Sequence, residues 1–219
     1  MLHLVQFYKR CNSWHYLGME NNPIERDGEH EGLRERKRKE TLHRIAETGL
    51  RLFVANGYEA TTLDAIAEAA GVSRRTIFYY FKSKEEILLA YQSGIPEIIR
   101  NAVLQETTDQ APLDAVLNAL LKLAAGYNSE HMIAIDRLMR STEQLRAAKH
   151  AKYVQEEQAL FEALCQLWPQ AKRRNAMRIV AMVSVGALRL AIDAWAQSGG
   201  RQPVEKHLRE AFAALKAEI

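Results

Sequence analysis

The chain is short of the residues that make cross-linked or metal-stapled proteins. Its 219 residues hold two cysteines, Cys11 and Cys165. They are too few and too far apart for a disulfide framework, which suits a reducing cytoplasm. No Cys/His cluster has zinc spacing, so no metal and no cofactor is expected. The five prolines fall at boundaries: Pro23 in a polar leader, Pro96 at a bend, Pro112 and Pro203 at helix starts, Pro169 at a helix stop. No segment alternates with a strand's period, and no repeat is present. There is no membrane-length apolar run either. The apolar stretch Ile179 to Ala196 is interrupted by Arg189 and Asp193, and its charge-free part, Ile179 to Leu188, is half of the roughly 20 residues a span needs. Catalytic signatures are missing: no Asp-Asp-x-x-Asp, no Glu-x-x-His, no Gly-rich phosphate loop, no Gly-x-Ser-x-Gly, so an enzyme is not expected. The formal charge of +3 is mild, so a nucleic-acid binder would have to concentrate its basic residues locally.

What is there centres on Thr61 to Glu86, TTLDAIAEAAGVSRRTIFYYFKSKEE. Leu63, Ile66, Ala67 and Ala70 recur at helical spacing. Thr61 is placed to cap that helix, with Asp64 as its reciprocal partner. Gly71 ends it, because the turn needs a left-handed backbone. Ser73 caps the next helix, whose Ile77 and Phe81 face back. Arg74, Arg75, Thr76, Tyr79 and Tyr80 then point outward. Guanidiniums, a hydroxyl and phenols on one short helix are groups that read base edges and phosphates. Ser83 and Glu86 form a second capping box and put Lys84 in a helix's first turn. By itself such a hairpin could also be a small helical unit with a solvated basic face.

The whole string is more specific. Ala70, Gly71, Val72, Ser73, Thr76, Tyr80, Phe81, Ser83, Lys84, Glu85 and Leu88 match a pattern that resembles the helix-turn-helix of TetR-family transcriptional regulators. Arg75 stands where that family often has Gly, and Phe78 where it usually has Tyr, so Phe78 lacks a hydroxyl for a phosphate. The resemblance implies an all-α chain of about nine helices: a three-helix DNA-binding head and a helical effector-binding and dimerisation bundle. DNA contacts are expected from Thr62, Ser73, Arg74, Arg75, Thr76, Tyr79, Tyr80 and Lys84.

Taken in order, residues 1–32 read as a polar, disordered leader, and Met19 suggests that the first 18 residues come from an upstream start codon. No secretory signal is expected. Leu33 to Asn56 is an amphipathic helix with the stripe Leu42, Ile45, Ala46, Gly49, Leu52 and Phe53, ended by Gly57. Its first turns carry Arg34, Arg36, Lys37, Arg38 and Lys39, either a solvated start or a face that follows phosphates, with Glu35 and Glu40 moderating the charge. The head is expected over 33–92 and the second domain over 93–219. A helix from Ser83 to about Glu106 bends near Gly94 and Pro96. Further helices run from Pro112 to about Asn128, Ile133 to Arg140, Thr142 to Leu167, Lys172 to Gln197 and Pro203 to Lys216.

The last two helices carry more apolar surface than one core needs. The family implies that they pair with a second copy as a four-helix bundle, with Met182, Gly186, Arg189, Leu190, Trp195, Leu208 and Phe212 in the homodimer interface. An effector pocket is expected from Tyr127, His131, Asp136, Met139, Arg140, Tyr153 and Met182. Arg137 and Arg140 could share a face and hold an anion, or simply be exposed. The function this implies is a homodimeric repressor, released from a palindromic double-stranded DNA operator by a small-molecule effector, without a membrane partner. The alternative is a helix-turn-helix protein controlled by a protein partner or acting without a small ligand.

Overall fold

The computed structural model describes residues 29–126 and 129–218. Almost all of the expected leader, and Tyr127, lie outside the described residues. The described chain is helical and contains no strand. It divides into two units, one ending at Gly94 and the other beginning at Ile95.

The first unit holds α1 (Glu29–Asn56), α2 (Leu63–Ala69), α3 (Arg74–Tyr80) and α4 (Lys84–Gln92). Helix α1 starts four residues before the expected Leu33. It packs on α4 and α2, and α2 packs on α3. Ile45, Leu50, Phe53, Ile66, Ile77, Phe81, Ile87 and Leu88 fill the core; each such buried side chain is worth about 1.5–3 kcal/mol. Leu50, not Leu52, completes the buried stripe of α1. Gly57 (φ 88°) and Gly71 (φ 64°) take the left-handed backbone that ends α1 and turns α2 into α3. The cap of α2 is a correction. Thr62 is the N-cap, its hydroxyl accepting from the Ala65 amide. Thr61 is buried, and its hydroxyl donates to the carbonyls of Gly57 and Leu52. Ser73 and Ser83 cap α3 and α4 as expected. The Glu86 carboxylate accepts from the Lys82 amide at 2.6 Å, closing the box one residue outside the cap.

The second unit holds α5 (Ile95–Leu104), α6 (Pro112–Ala124), α7 (Ser129–Met139), α8 (Glu143–Leu167), a 3₁₀ turn (Ala171–Arg173), α9 (Arg174–Gln197) and α10 (Val204–Glu218). The helix expected from Ser83 to Glu106 is therefore two helices, broken at Ser93 and Gly94. Thr142 caps α8 through the Leu145 amide. Helix α8 packs on α5 and α9, and α10 lies across α9 and α6. Val103, Val116, Leu160, Leu164, Ala181, Trp195 and Phe212 are central to the core. The stretch Ala171–Gln197 is long and apolar enough to cross a membrane by length and composition, which corrects the shorter run seen in the sequence. Its Met177, Ala181, Val185, Ala191 and Trp195 face is instead spent on this unit's own core.

Candidate nucleic-acid interface and effector unit

Helix α3 is short, and only Ile77 is buried on it. Its other side chains are set by local bonds. The Ser73 hydroxyl accepts from the Thr76 amide at 3.0 Å and pairs with the Thr76 hydroxyl at 2.7 Å. Both side chains therefore hold the helix start. Arg74 Nε lies 3.3 Å from Asp64 Oδ1 on α2, and its guanidinium sits 5.6 Å above the Phe78 ring. Phe78 thus acts as a shelf, a role that comparison with the usual Tyr did not suggest. Arg75 is exposed and makes no ion pair or hydrogen bond among the described residues. Tyr79 is 73% exposed and meets the half-buried Tyr80 edge-on at 5.1 Å. Thr62 is exposed at the start of α2.

The basic start of α1 is partly neutralised, as expected from Glu35 and Glu40. Arg38 makes a bidentate pair with Glu35 at 2.9 and 3.0 Å, and Arg36 lies 3.5 Å from Glu40. The Glu35 hydrogen bond, and more weakly the fields of Tyr79 and Tyr80, push the Arg38 guanidinium up.

Lys84 is placed differently from a free phosphate contact. Its ammonium donates to the Tyr58 carbonyl at 2.7 Å and sits 4.5 Å above the Tyr58 ring. Tyr58 in turn packs on Phe53 at 5.0 Å. Burial first, then the Glu85 carboxyl, pushes the Tyr58 phenol up. Lys84 therefore ties α4 to the loop after α1.

Among the described side chains, the expected effector residues fall in different surroundings. His131 lies in α7, but its side chain is outside the described residues. Asp136 is bound by Arg140 Nε at 2.6 Å and Lys149 Nζ at 2.7 Å, and Arg140 reaches Asp193 on α9 at 2.5 Å. Burial pushes the Asp136 carboxyl up, but the bonds from Arg140 and Lys149 outweigh it and hold the group below its usual range. Arg140 already serves two carboxylates, so it is not an open anion holder. Met139 is buried and Tyr153 half-buried, its phenol pushed up by burial and then by Asp193 and Glu156. Met182 is 52% exposed, which removes it from any interior pocket.

Helices α9 and α10 sort the expected interface residues. Ile179, Met182 and Leu190 are more than half exposed, Arg189 is exposed, and a side chain at Gly186 would meet nothing within 4 Å. This is one outward apolar stripe. Trp195, Leu208 and Phe212 are corrections: they are 0%, 2% and 0% exposed, filling the core between α9, α10 and α6. They cannot reach a second copy without unfolding the first.

Fold and surface together define a helix-turn-helix head followed by an all-helical bundle. The model for bacterial regulatory proteins of the tetR family matches residues 45–91, and that of the MftR C-terminal domain matches residues 110–219. The chain belongs to the TetR family of DNA-binding transcriptional regulators. It is 42% identical over 88 residues to the HTH-type transcriptional regulator TcmR of Streptomyces glaucescens, covering 40% of this chain and 39% of that one. It is 43% identical over 58 residues to the putative mycofactocin biosynthesis transcriptional regulator MftR of Mycobacterium tuberculosis, 26% of this chain and 29% of that one. The match thus spans under half the length of these relatives. In fold it is similar to Thermus thermophilus FadR, a TetR-family repressor solved with lauroyl-CoA, at a TM-score of 0.56 and 20% identity over 80% of this chain and 92% of that one.

Proposed function

We propose that this chain is a homodimeric repressor that occupies a palindromic DNA operator and leaves it when a small-molecule effector binds. The observation that carries the reading is the outward face of α3, where Arg75 has no partner among the described residues and Tyr79 is 73% exposed. A guanidinium free of ion pairs can make the bidentate contact with a guanine edge that is the commonest specific base contact. Arg74, held by Asp64 and Phe78, is presented beside it. Thr62, Tyr79 and Tyr80 supply hydroxyls for phosphates, and Ser73 and Thr76 fix the helix that carries them.

The apolar stripe of Ile179, Met182 and Leu190 supports pairing through α9, with Gly186 allowing close approach. Two copies would present their α3 helices about 34 Å apart, one turn of DNA, and so match a palindrome. Effector control is supported by the fold's likeness to a repressor solved with lauroyl-CoA. Such control is a population shift, and it requires the ligand to bind the two states with different affinity. A role on chromosomal DNA supports a cytoplasmic location.

The test is fluorescence anisotropy of purified protein on DNA flanking its own gene, across a salt series. Binding clearly tighter than to scrambled DNA, saturating at two chains per site or a multiple of two, supports the reading. Equal, weak binding to both DNAs, repeated on fragments selected from the whole genome, would sink it.

A further inference from the structure

Trp195 is completely buried, yet its indole N–H finds no acceptor among the described residues. Leaving a buried donor unsatisfied forfeits the hydrogen bond it made to water when unfolded. The indole lies in the second unit, at the end of α9, and its benzo edge next to the nitrogen faces the following turn: a Cβ on Gly200 would sit 3.6 Å from Trp195 Cζ2. Gly200 holds φ at 68°, where a side chain is strained, and a Cβ there would push the Ile133 side chain aside. Trp195 and Gly200 are both among the residues that line a half-open cavity of about 290 Å³, just under the roughly 300–1,000 Å³ of ligand pockets. The larger part of its lining is polar, with Arg201 and Glu205 bringing one charge of each sign, and Ala124, Met132 and Val204 supply the smaller apolar part. Arg201 spends only its Nε, on the Ser198 carbonyl at 2.8 Å, so both terminal nitrogens remain to donate.

We propose that this cavity is a binding site for a small molecule with a carbonyl or carboxylate oxygen as its head and a short apolar body. The head accepts from the Trp195 indole and from Arg201, and the body packs on Ala124, Met132 and Val204. The opposing charges of Arg201 and Glu205 leave the site near neutral, which suits a modest polar head better than a multiply charged one. None of the residues expected from sequence for an effector pocket lines this cavity. The inference stands on the second unit alone and is independent of whether the head binds DNA.

The test is a titration of the full-length protein with isovaleramide and with isovalerate, which share a shape and differ in charge. The readout is the indole N–H resonance of Trp195, assigned against Trp14 and Trp168 by the Trp195→Phe variant. A saturable shift of the Trp195 resonance with either probe, Trp168 staying fixed, is expected. The amide and the acid separate the two sources of the oxygen. Ligand-observed resonance should show Trp195→Phe binding the better probe about two- to tenfold more weakly, as loss of one hydrogen bond predicts. Arg201→Gln, at an exposed position, should weaken isovalerate relative to isovaleramide and serves if Trp195→Phe does not fold. A visible Trp195 resonance that neither probe moves overturns the site. So does unchanged affinity in a folded Trp195→Phe, or an Arg201→Gln variant with unaltered preference if that fold fails.

Discussion

Lys84 donates its ammonium to the Tyr58 carbonyl across 26 residues of chain, at 2.7 Å. The side chain is only 22% exposed, so it is anchored in the head and not held out to solvent. A residue that motif matching offers as a phosphate contact is used to fix the loop that leads into α2.

Lys84→Ala is therefore expected to lower the stability of the head by about 1.5–3 kcal/mol, the scale of a hydrogen bond from a charged group. Urea unfolding followed by circular dichroism checks this. A variant as stable as the parent, with weakened DNA binding at every sequence, would return Lys84 to the phosphate role.

Gly49 of α1 is a contact point between helices. A Cβ there would lie 2.5 Å from Cγ2 of Ile87, which is fully buried on α4, and 3.5 Å from Cδ1 of Ile66. The Ile87 methyl is attached at a branched carbon and cannot swing aside alone. Gly49→Ala should lose about 1–3 kcal/mol through overpacking, despite alanine's better helix propensity. Stability equal to or above the parent's in denaturant unfolding would show that the helices part without cost.

The interface prediction separates an exposed residue of α9 from a buried one of α10. Leu190→Arg is expected to leave a folded monomer, because Leu190 is 61% exposed in the single chain. Phe212→Arg should unfold the bundle, since burying an unpaired charge in a filled core is costly. Sedimentation with circular dichroism distinguishes the two results. A dimeric Leu190→Arg protein would exclude this stripe from pairing.

Glu156 gives the pH dependence. It is 2% exposed, and Lys152 Nζ lies 3.3 Å from Oε1. Burial pushes its carboxyl up, and Lys152 offsets that only in part. A carboxyl whose pKa is higher folded than unfolded favours folding when protonated. That contribution is complete below the ordinary carboxylate range and is lost as pH rises through the folded value. Glu156→Gln, which mimics the protonated form, should therefore raise the melting temperature at neutral pH, with the gain shrinking toward pH 4. A lower melting temperature for the variant at neutral pH would mean that the Lys152 pair outweighs burial.

The sequence made local structure legible. Ser73, Ser83 and Thr142 cap helices because a short polar side chain can bond an amide three residues on, and Gly57 and Gly71 end them because the backbone must turn left-handed. Thr61 and Thr62 are the same residue type side by side, and only packing decides that the first is buried and the second caps. Helix α9 shows the larger limit. Its apolar residues run nearly all round, so periodicity could not tell which face meets α10 and which meets solvent. Trp195 on α9, expected from sequence at a partner surface, fills the core, as do Leu208 and Phe212 on α10. The Asp136, Arg140, Lys149 and Asp193 network joins three helices, and the cavity beside Trp195 is lined in part by the Gly200 turn. Neither is encoded in the spacing along a single element.

The central claim is that the outward face of α3 reads DNA through Arg75. The most direct measurement compares wild type and Arg75→Ala on operator and on scrambled DNA at one salt concentration. The account predicts a loss of about 1–3 kcal/mol on the operator and little change on scrambled DNA, because a base contact carries specificity and a phosphate contact does not. Equal losses on both DNAs would contradict it and make Arg75 a phosphate contact.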